Sequence, residues 1–117
     1  MEEREQRRRR RAAGQEWFDG LAVDYLDLPD VDRTRMFGSE GLRARGKFFA
    51  FVGSEGDLIV KLPAELAAGL VADGAAEPVK IGRNPAREWL SLPEVADGDL
   101  QPWRDALAEA HRYATST

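Results

Sequence analysis

The sequence predicts an α+β fold with two layers, in which helices flank an antiparallel sheet of about five strands. Apolar residues recur at three- and four-residue spacing from Trp17 to Leu26 and again from Leu100 to Ala114, which is typical of helices with one buried side. Between Val31 and Leu62 the spacing shortens to about two, and glycine-containing segments separate the apolar runs. That alternation is typical of an antiparallel meander.

The elements are expected in the order α-β(3–4)-α-β(2)-α. The first helix should end at Leu28–Pro29, because the residue before proline avoids helical geometry. The second should start at Pro63 and stop at Gly74, and the third should start near Asp99, a residue type that caps helices. The expected strands are 31–36, 42–45, 47–52, 57–62, 79–81 and 88–92. The expected connections include Gly-Ser-Glu-Gly turns at 38–41 and 53–56 and a Gly-Arg-Asn-Pro segment at 82–85.

Length and composition indicate one globular domain. The 117 residues are 43% hydrophobic and 32% charged, which fits a single folded unit. We expect residues 1–14 to form a charged N-terminal arm or a helix extension, and residues 15–117 to form the domain. The longest bulky apolar run, 48–52, is far shorter than the ~20 residues that span a bilayer. No apolar stretch follows the N-terminal arginines, so we expect a cytoplasmic protein with no membrane partner.

The available residue types argue against an enzyme. The chain has no cysteine and one histidine, His111, which excludes disulfides, thiolate zinc sites and a pair of imidazoles within one chain. The glycines lie between predicted strands and match no phosphate-binding motif. We expect His111 on the surface of the last helix, and the aspartates at 27–32 and 97–99 in turns and caps. No metal, cofactor or catalytic residue is therefore expected.

An arginine run near the N-terminus contrasts with the rest of the chain. The net charge is −4, yet residues 7–11 are five consecutive arginines. The run has two interpretations. It is either the solvated start of the first helix or a weak, nonspecific contact for nucleic-acid phosphates, because an acidic body does not favour duplex binding. The nucleic-acid candidates are Arg7, Arg8, Arg9, Arg10 and Arg11.

The strand at 47–52 is apolar on both faces, which is typical of a central strand covered on both sides. Strict alternation would point Phe49 and Phe51 one way and Phe48, Ala50 and Val52 the other. The second face is covered either by helices of the same chain or in part by a neighbouring copy, which would make the protein a homodimer. We also expect two tryptophans, Trp89 and Trp103, to be largely buried.

One set of motifs suggests a family. Its segments are Arg35-Met36-Phe37-Gly38, Gly46-Lys47-Phe48-Phe49-Ala50, Leu58-Ile59-Val60-Lys61-Leu62, Trp89 with Leu92-Pro93, and Trp103. Together, over roughly residues 17–115, they resemble the TfoX N-terminal domain family, and the Gly-Lys-Phe-Phe-Ala stretch is also similar to the YjbR/MmcQ-like group. The resemblance implies an antiparallel sheet flanked by helices. It also implies a relation to regulators of natural competence, longer proteins that act with the transcription machinery. The chain departs from the family pattern at Ser39 and Arg43.

Two functional hypotheses follow. The first is a non-enzymatic, cytoplasmic regulatory or protein-interaction module with an unknown protein partner. The second is a domain that binds a small anionic ligand or nucleotide through a basic patch on the sheet. Its candidate ligand-binding residues are Arg35, Lys47 and Lys61, which fall on the family motifs. Salt bridges that stabilise the sheet are the structural alternative for these three cations.

Overall fold

The computed structural model describes residues 2–36, 39–81 and 84–116. These residues form three helices and six strands in the predicted order, which confirms the α+β fold. The helices are α1 (Glu2–Leu26), α2 (Ala64–Ala72) and α3 (Gln101–Thr115). The strands are β1 (Val31–Met36), β2 (Ser39–Ala44), β3 (Lys47–Val52), β4 (Leu58–Lys61), β5 (Glu77–Ile81) and β6 (Asn84–Leu92). All neighbouring strands are antiparallel, in the spatial order β1-β2-β3-β4-β6-β5.

Several element boundaries differ from the predicted ones. Residues 2–14 are the first half of α1, so the arm is a helix extension. Ser39 already pairs with Met36 in the β1–β2 ladder, so the predicted turn at 39–41 is strand; Gly38 lies outside the described residues. Asn84 is likewise in β6, and residues 82–83 are not described. In both places strand pairing extends further into the predicted connection than the positions of glycine and proline indicate.

The helix starts also shift by one or two residues. Pro63 is the residue that precedes α2 and has extended geometry, with ψ 142°, so it does not occupy the first helical position. Asp99 lies before α3 and its carboxylate accepts a hydrogen bond from the Gln101 backbone N–H at 3.1 Å. Asp99 therefore stabilises the start of α3, but the N-cap residue is Leu100 and the helix itself begins at Gln101.

All three helices pack on one face of the sheet, which we call the inner face. Helix α1 packs on β1 and β3, α2 on β5 and β6, and α3 on β2, β3 and β4. The inner-face rows of the ladder, which are buried in one core with the helices, are Leu42–Ala50–Val60–Leu90 and Val52–Leu58–Leu92. The core side chains from the helices include Phe18, Leu21, Ala22, Ala67, Trp103, Leu107 and Ala110. No described helix covers the opposite face, which we call the outer face. The alternative in which helices of the same chain cover both faces of β3 is therefore wrong.

A β-bulge at Phe49 breaks the alternation expected for β3. Leu42 pairs with Ala50, but the next residue, Arg43, pairs with Phe48, so Phe49 has no residue opposite it in β2. A bulge of this kind places one extra residue on one strand and re-aims its side chain. Phe49 and Ala50 are consequently both fully buried in the helix-covered core. Phe49 and Phe51 therefore do not share a face, contrary to the prediction.

The two tryptophans differ in burial. Trp103 of α3 is only 1% exposed, and its indole N–H donates to the Pro93 carbonyl at 2.9 Å. Trp89 is half-buried, and its ring lies 5.8 Å from that of Phe51 on the outer face. The prediction of a largely buried residue is confirmed for Trp103 and is wrong for Trp89, because the helices cover the other side of β6.

Candidate functional site

The structure separates the three cations that the sequence grouped. Lys47 and Lys61 line one cavity between the sheet and α3. Arg35 lies in a different groove, between α1 and the β1–β2 edge. A single basic patch that uses all three side chains is therefore not formed.

The groove around Arg35 is a polar junction between α1 and the sheet. Arg33, which the sequence did not single out, pairs there with Asp19 of α1 and, at 2.8 Å, with Glu40 of β2. The guanidinium carbon of Arg33 also lies 6.0 Å from the centre of the Phe18 ring. These contacts join α1 to β1 and β2 through Arg33, which is not one of the three cations for which the sequence left salt bridges as the structural alternative. The signal in the sequence was the i, i+2 spacing of Arg33 and Arg35, which puts both on the α1 side of β1.

The cavity at Lys47 and Lys61, which we call the lysine cavity, has a volume of about 190 Å³. Lys47 begins β3 and Lys61 ends β4. Because β3 and β4 are antiparallel, the start of one and the end of the other lie at the same end of the sheet. The other side chains that line the cavity are Phe48, Phe49, Ala110, Tyr113 and Ala114. The two alanines are the small residues of α3 that leave room above the strands.

One wall of the lysine cavity carries an ion pair with a tyrosine hydroxyl beside it. The Lys61 ammonium lies 4.0 Å from the Glu88 carboxylate. The Tyr113 hydroxyl hydrogen-bonds to the same carboxylate, and this bond, with burial and the negative charge of Glu88, raises the pKa of Tyr113 above its ordinary value. Glu88 therefore orients both Lys61 and Tyr113 at the cavity wall.

His111 is not the solvated surface histidine that the sequence predicted. It is half-buried, with its ring centre 5.5 Å from Tyr25 of α1 and 5.6 Å from Phe49 of β3. Burial, with a smaller contribution from Asp24, raises the pKa of Tyr25. The cluster depends on the bulge that turns Phe49 inward, and no sequence pattern marked that bulge.

The outer face carries a strip of apolar side chains, which we call the outer strip: Phe48, Phe51, Ile59 and Trp89. Phe51 and Ile59 are directly opposed on β3 and β4, and Trp89 lies beside Phe51. Ile59 is 6% exposed yet does not belong to the helix-covered core. The sequence predicted an apolar second face for β3 but assigned Trp89 to the interior.

Charged groups lie at both borders of the outer strip. Arg43 lies over the Phe48 ring at 5.8 Å and donates two hydrogen bonds to Asp32, at 2.8 and 2.7 Å. The paired guanidinium lowers the pKa of the Asp32 carboxyl. On the other side, Glu77 of β5 is opposite Ser91, the residue that pairs with Ile59. Lys61 lies at the end of β4, opposite Trp89. Charges of both signs therefore surround the outer strip.

The arginine run does not form one continuous basic face. Arg7 and Arg10 both pair with Glu55 in the turn before β4, at 3.0 and 2.7 Å. The hydrogen bond from Arg10, with the charges of both arginines, lowers the pKa of Glu55. Arg8 and Arg9 are exposed, and Arg11 lines the groove near Arg35. The arginines therefore have different surroundings, because a helix points consecutive residues about 100° apart. The nucleic-acid contact stays a prediction.

Within the described ranges, no group of three or more histidine, aspartate or glutamate side chains is placed to hold a metal ion. No helix in the same ranges combines the length and the apolar character needed to cross a membrane. Comparisons with family models, with curated proteins and with solved structures find no match for this chain.

Proposed function

We propose that this chain is a non-catalytic protein-interaction module that binds its partner across the outer face of the sheet. One observation carries the proposal. The three described helices cover only the inner face, while the outer face displays the outer strip rather than a polar row.

The composition of the outer strip supports binding. An antiparallel sheet with one solvated face usually alternates apolar residues inside with polar residues outside. In β3 the outward positions are Phe48 and Phe51, and the opposed position in β4 is Ile59. Aromatic residues are enriched in protein interfaces and supply much of the binding energy when a partner buries them.

The borders indicate the chemistry of the partner. Acids and bases both surround the strip: Asp32 and Arg43 lie on one side, Glu77 lies on the other, and Lys61 lies at the end of β4. A partner that fits this face has an apolar centre with charges of both signs around it. A polyanion such as duplex DNA matches neither the border charges nor the net charge of −4.

A regulatory role in the cytoplasm is part of the proposal. Its support is the resemblance of the motif residues to the TfoX N-terminal domain family, whose longer members act with the transcription machinery. An enzymatic role has less support. The acidic groups Asp19, Glu40 and Glu88 and the single histidine are each engaged with neighbouring side chains.

Site-specific photo-crosslinking in intact cells tests this proposal. A photoreactive phenylalanine analogue would replace Phe51 on the outer strip and, as a matched control, Val23, which is 58% exposed on α1. We expect discrete protein adducts from the Phe51 position and few from the Val23 position. Equal adduct patterns at the two positions, or no adduct at Phe51, would show that the outer face is not the binding surface.

A further inference from the structure

We propose that the lysine cavity is a binding site for a small organic anion, with a carboxylate attached to an aromatic or branched apolar body. The site lies between β3, β4 and α3; it shares Phe48 with the outer strip, but its remaining lining residues are not part of that strip, so this function goes beyond protein interaction. Nothing in the proposed interaction across the outer face requires it.

The lining separates into a charged part and an apolar part. Lys47 and Lys61 supply two ammonium groups. The Glu88 carboxylate is not among the lining groups but lies 4.0 Å from the Lys61 ammonium. Phe49, which is fully buried, and the methyl groups of Ala110 and Ala114 supply the apolar part. Small-molecule sites commonly combine an apolar wall with a few polar groups that orient the ligand. Ammonium groups bind a carboxylate through charge-assisted hydrogen bonds.

The C-terminal end of α3 repels an anion less than a helix C-terminus whose carbonyls have no hydrogen-bond donors. The last carbonyls of a helix carry partial negative charge. In this protein Arg45 donates to the Thr115 carbonyl at 2.9 Å, which places a guanidinium on that end. The Thr115 hydroxyl donates to the His111 carbonyl at 3.0 Å, and the Ser116 hydroxyl to the Tyr113 carbonyl at 2.8 Å. Three carbonyls in the last turn of α3, those of His111, Tyr113 and Thr115, are therefore already engaged.

The volume of the lysine cavity limits the size of the ligand. Sites for drug-sized ligands usually measure about 300–1,000 Å³, and this cavity measures about 190 Å³. A nucleotide exceeds that space. A single-ring carboxylate fits both the volume and the separation of charged from apolar groups.

Backbone-amide NMR titration of the full chain tests the proposal, with benzoate as the probe. We expect saturable shifts centred on Phe49, Ala110 and Tyr113. Lys47→Gln and Lys61→Gln should each raise the benzoate Kd about tenfold, the loss typical of one charge-assisted contact. Lys80→Gln is the matched control, because Lys80 is exposed on β5 outside the cavity lining, and it should leave the Kd unchanged.

Two further probes test the apolar ring and the negative charge of the ligand separately. Benzyl alcohol keeps the ring without the charge, and inorganic phosphate keeps a charge without the ring; both should shift these amides much less than benzoate. The proposal is overturned if benzoate causes no saturable shift, or if the shifts persist unchanged in both lysine variants. Phosphate binding as tight as benzoate binding would overturn the proposal that the ligand has an apolar body. The crosslinking result at Phe51 is independent of all these outcomes.

Discussion

Gly14 of α1 and Gly56 of the turn before β4 touch backbone to backbone. A Cβ atom added to Gly14 would lie 2.8 Å from the Gly56 Cα and still closer to its carbonyl oxygen. Gly56 has φ +79°, and a Cβ there would collide with the Arg10 carbonyl. This contact, with the two arginine pairs to Glu55, joins the N-terminal half of α1 to the β3–β4 turn.

We expect Gly14→Ala to destabilise the protein, although alanine is the better helix former. Overpacking of this kind costs about 1–3 kcal/mol, because both contacting groups are backbone and cannot rotate away. Gly20→Ala in the same helix is the control: its Cβ would meet nothing within 4 Å, so it should gain about 0.5–1 kcal/mol. Urea denaturation measures both. A Gly14→Ala variant as stable as Gly20→Ala would show that the helix does not rest on the turn.

The two tryptophans should respond differently to truncation. Trp103→Ala leaves a large hole in the core and a Pro93 carbonyl without its donor, so we expect a loss of about 3–5 kcal/mol. Trp89→Ala removes a half-buried ring from the outer face and should cost less than half as much. The measurement is the free energy of unfolding of each variant. Equal losses would mean that the outer face is as tightly packed as the core.

The acid sensitivity of the protein should depend partly on Glu55. Its pKa is lowered in the folded protein from the ordinary value of 4.5. The stabilisation is therefore fully present above that value and is lost as the pH falls through the lower folded pKa. Glu55→Gln should lower Tm at pH 7 but not at pH 2, relative to the unmodified protein. Glu65→Gln, an exposed change on α2, is the control. A Tm difference that is the same at both pH values would contradict the role of the charge.

Self-association through the outer strip is the first form of protein interaction to measure. A two-fold axis near β3 and β4 would bring the Asp32–Arg43 side of one copy against the Glu77 side of the other. We expect a homodimer with more than about 1,000 Å² of total buried area. Light scattering across a dilution series should show it, and Phe51→Lys should abolish it while Val23→Lys should not. A monomeric mass at about 100 μM, above a typical micromolar Kd, would exclude the homodimer.

Nucleic-acid binding, where it occurs, should be weak and confined to the exposed arginines of α1. Arg8 and Arg9 are exposed, whereas Arg7 and Arg10 are paired with Glu55. We expect replacement of Arg8 and Arg9 by glutamine to remove the binding without changing Tm, and added salt to weaken it steeply through counterion release. Fluorescence anisotropy with duplexes of unrelated sequence measures this. Tight, sequence-selective binding by the double variant would contradict it.

Local patterns predicted which segments become helices and strands. The end of α1 follows from Leu28–Pro29, and the single buried side of α3 follows from the spacing of Trp103, Leu107 and Ala110, because these depend on backbone sterics and on periodicity within one element. The candidate site was predicted less completely. Lys47 and Lys61 do line one cavity, because antiparallel pairing brings the start of β3 to the end of β4.

Only the tertiary structure decided on which side of the sheet the helices pack. Periodicity shows that an element has a buried side but not which neighbour buries it, so Trp89 and Trp103 looked alike in the sequence and have opposite environments. The bulge at Phe49 arises from the register between β2 and β3, which no residue type in β3 announces. The same bulge turns Phe49 into the core beside His111 and provides the apolar wall of the lysine cavity. Because register and layer choice minimise the free energy of the whole chain, they could not be read from any one segment.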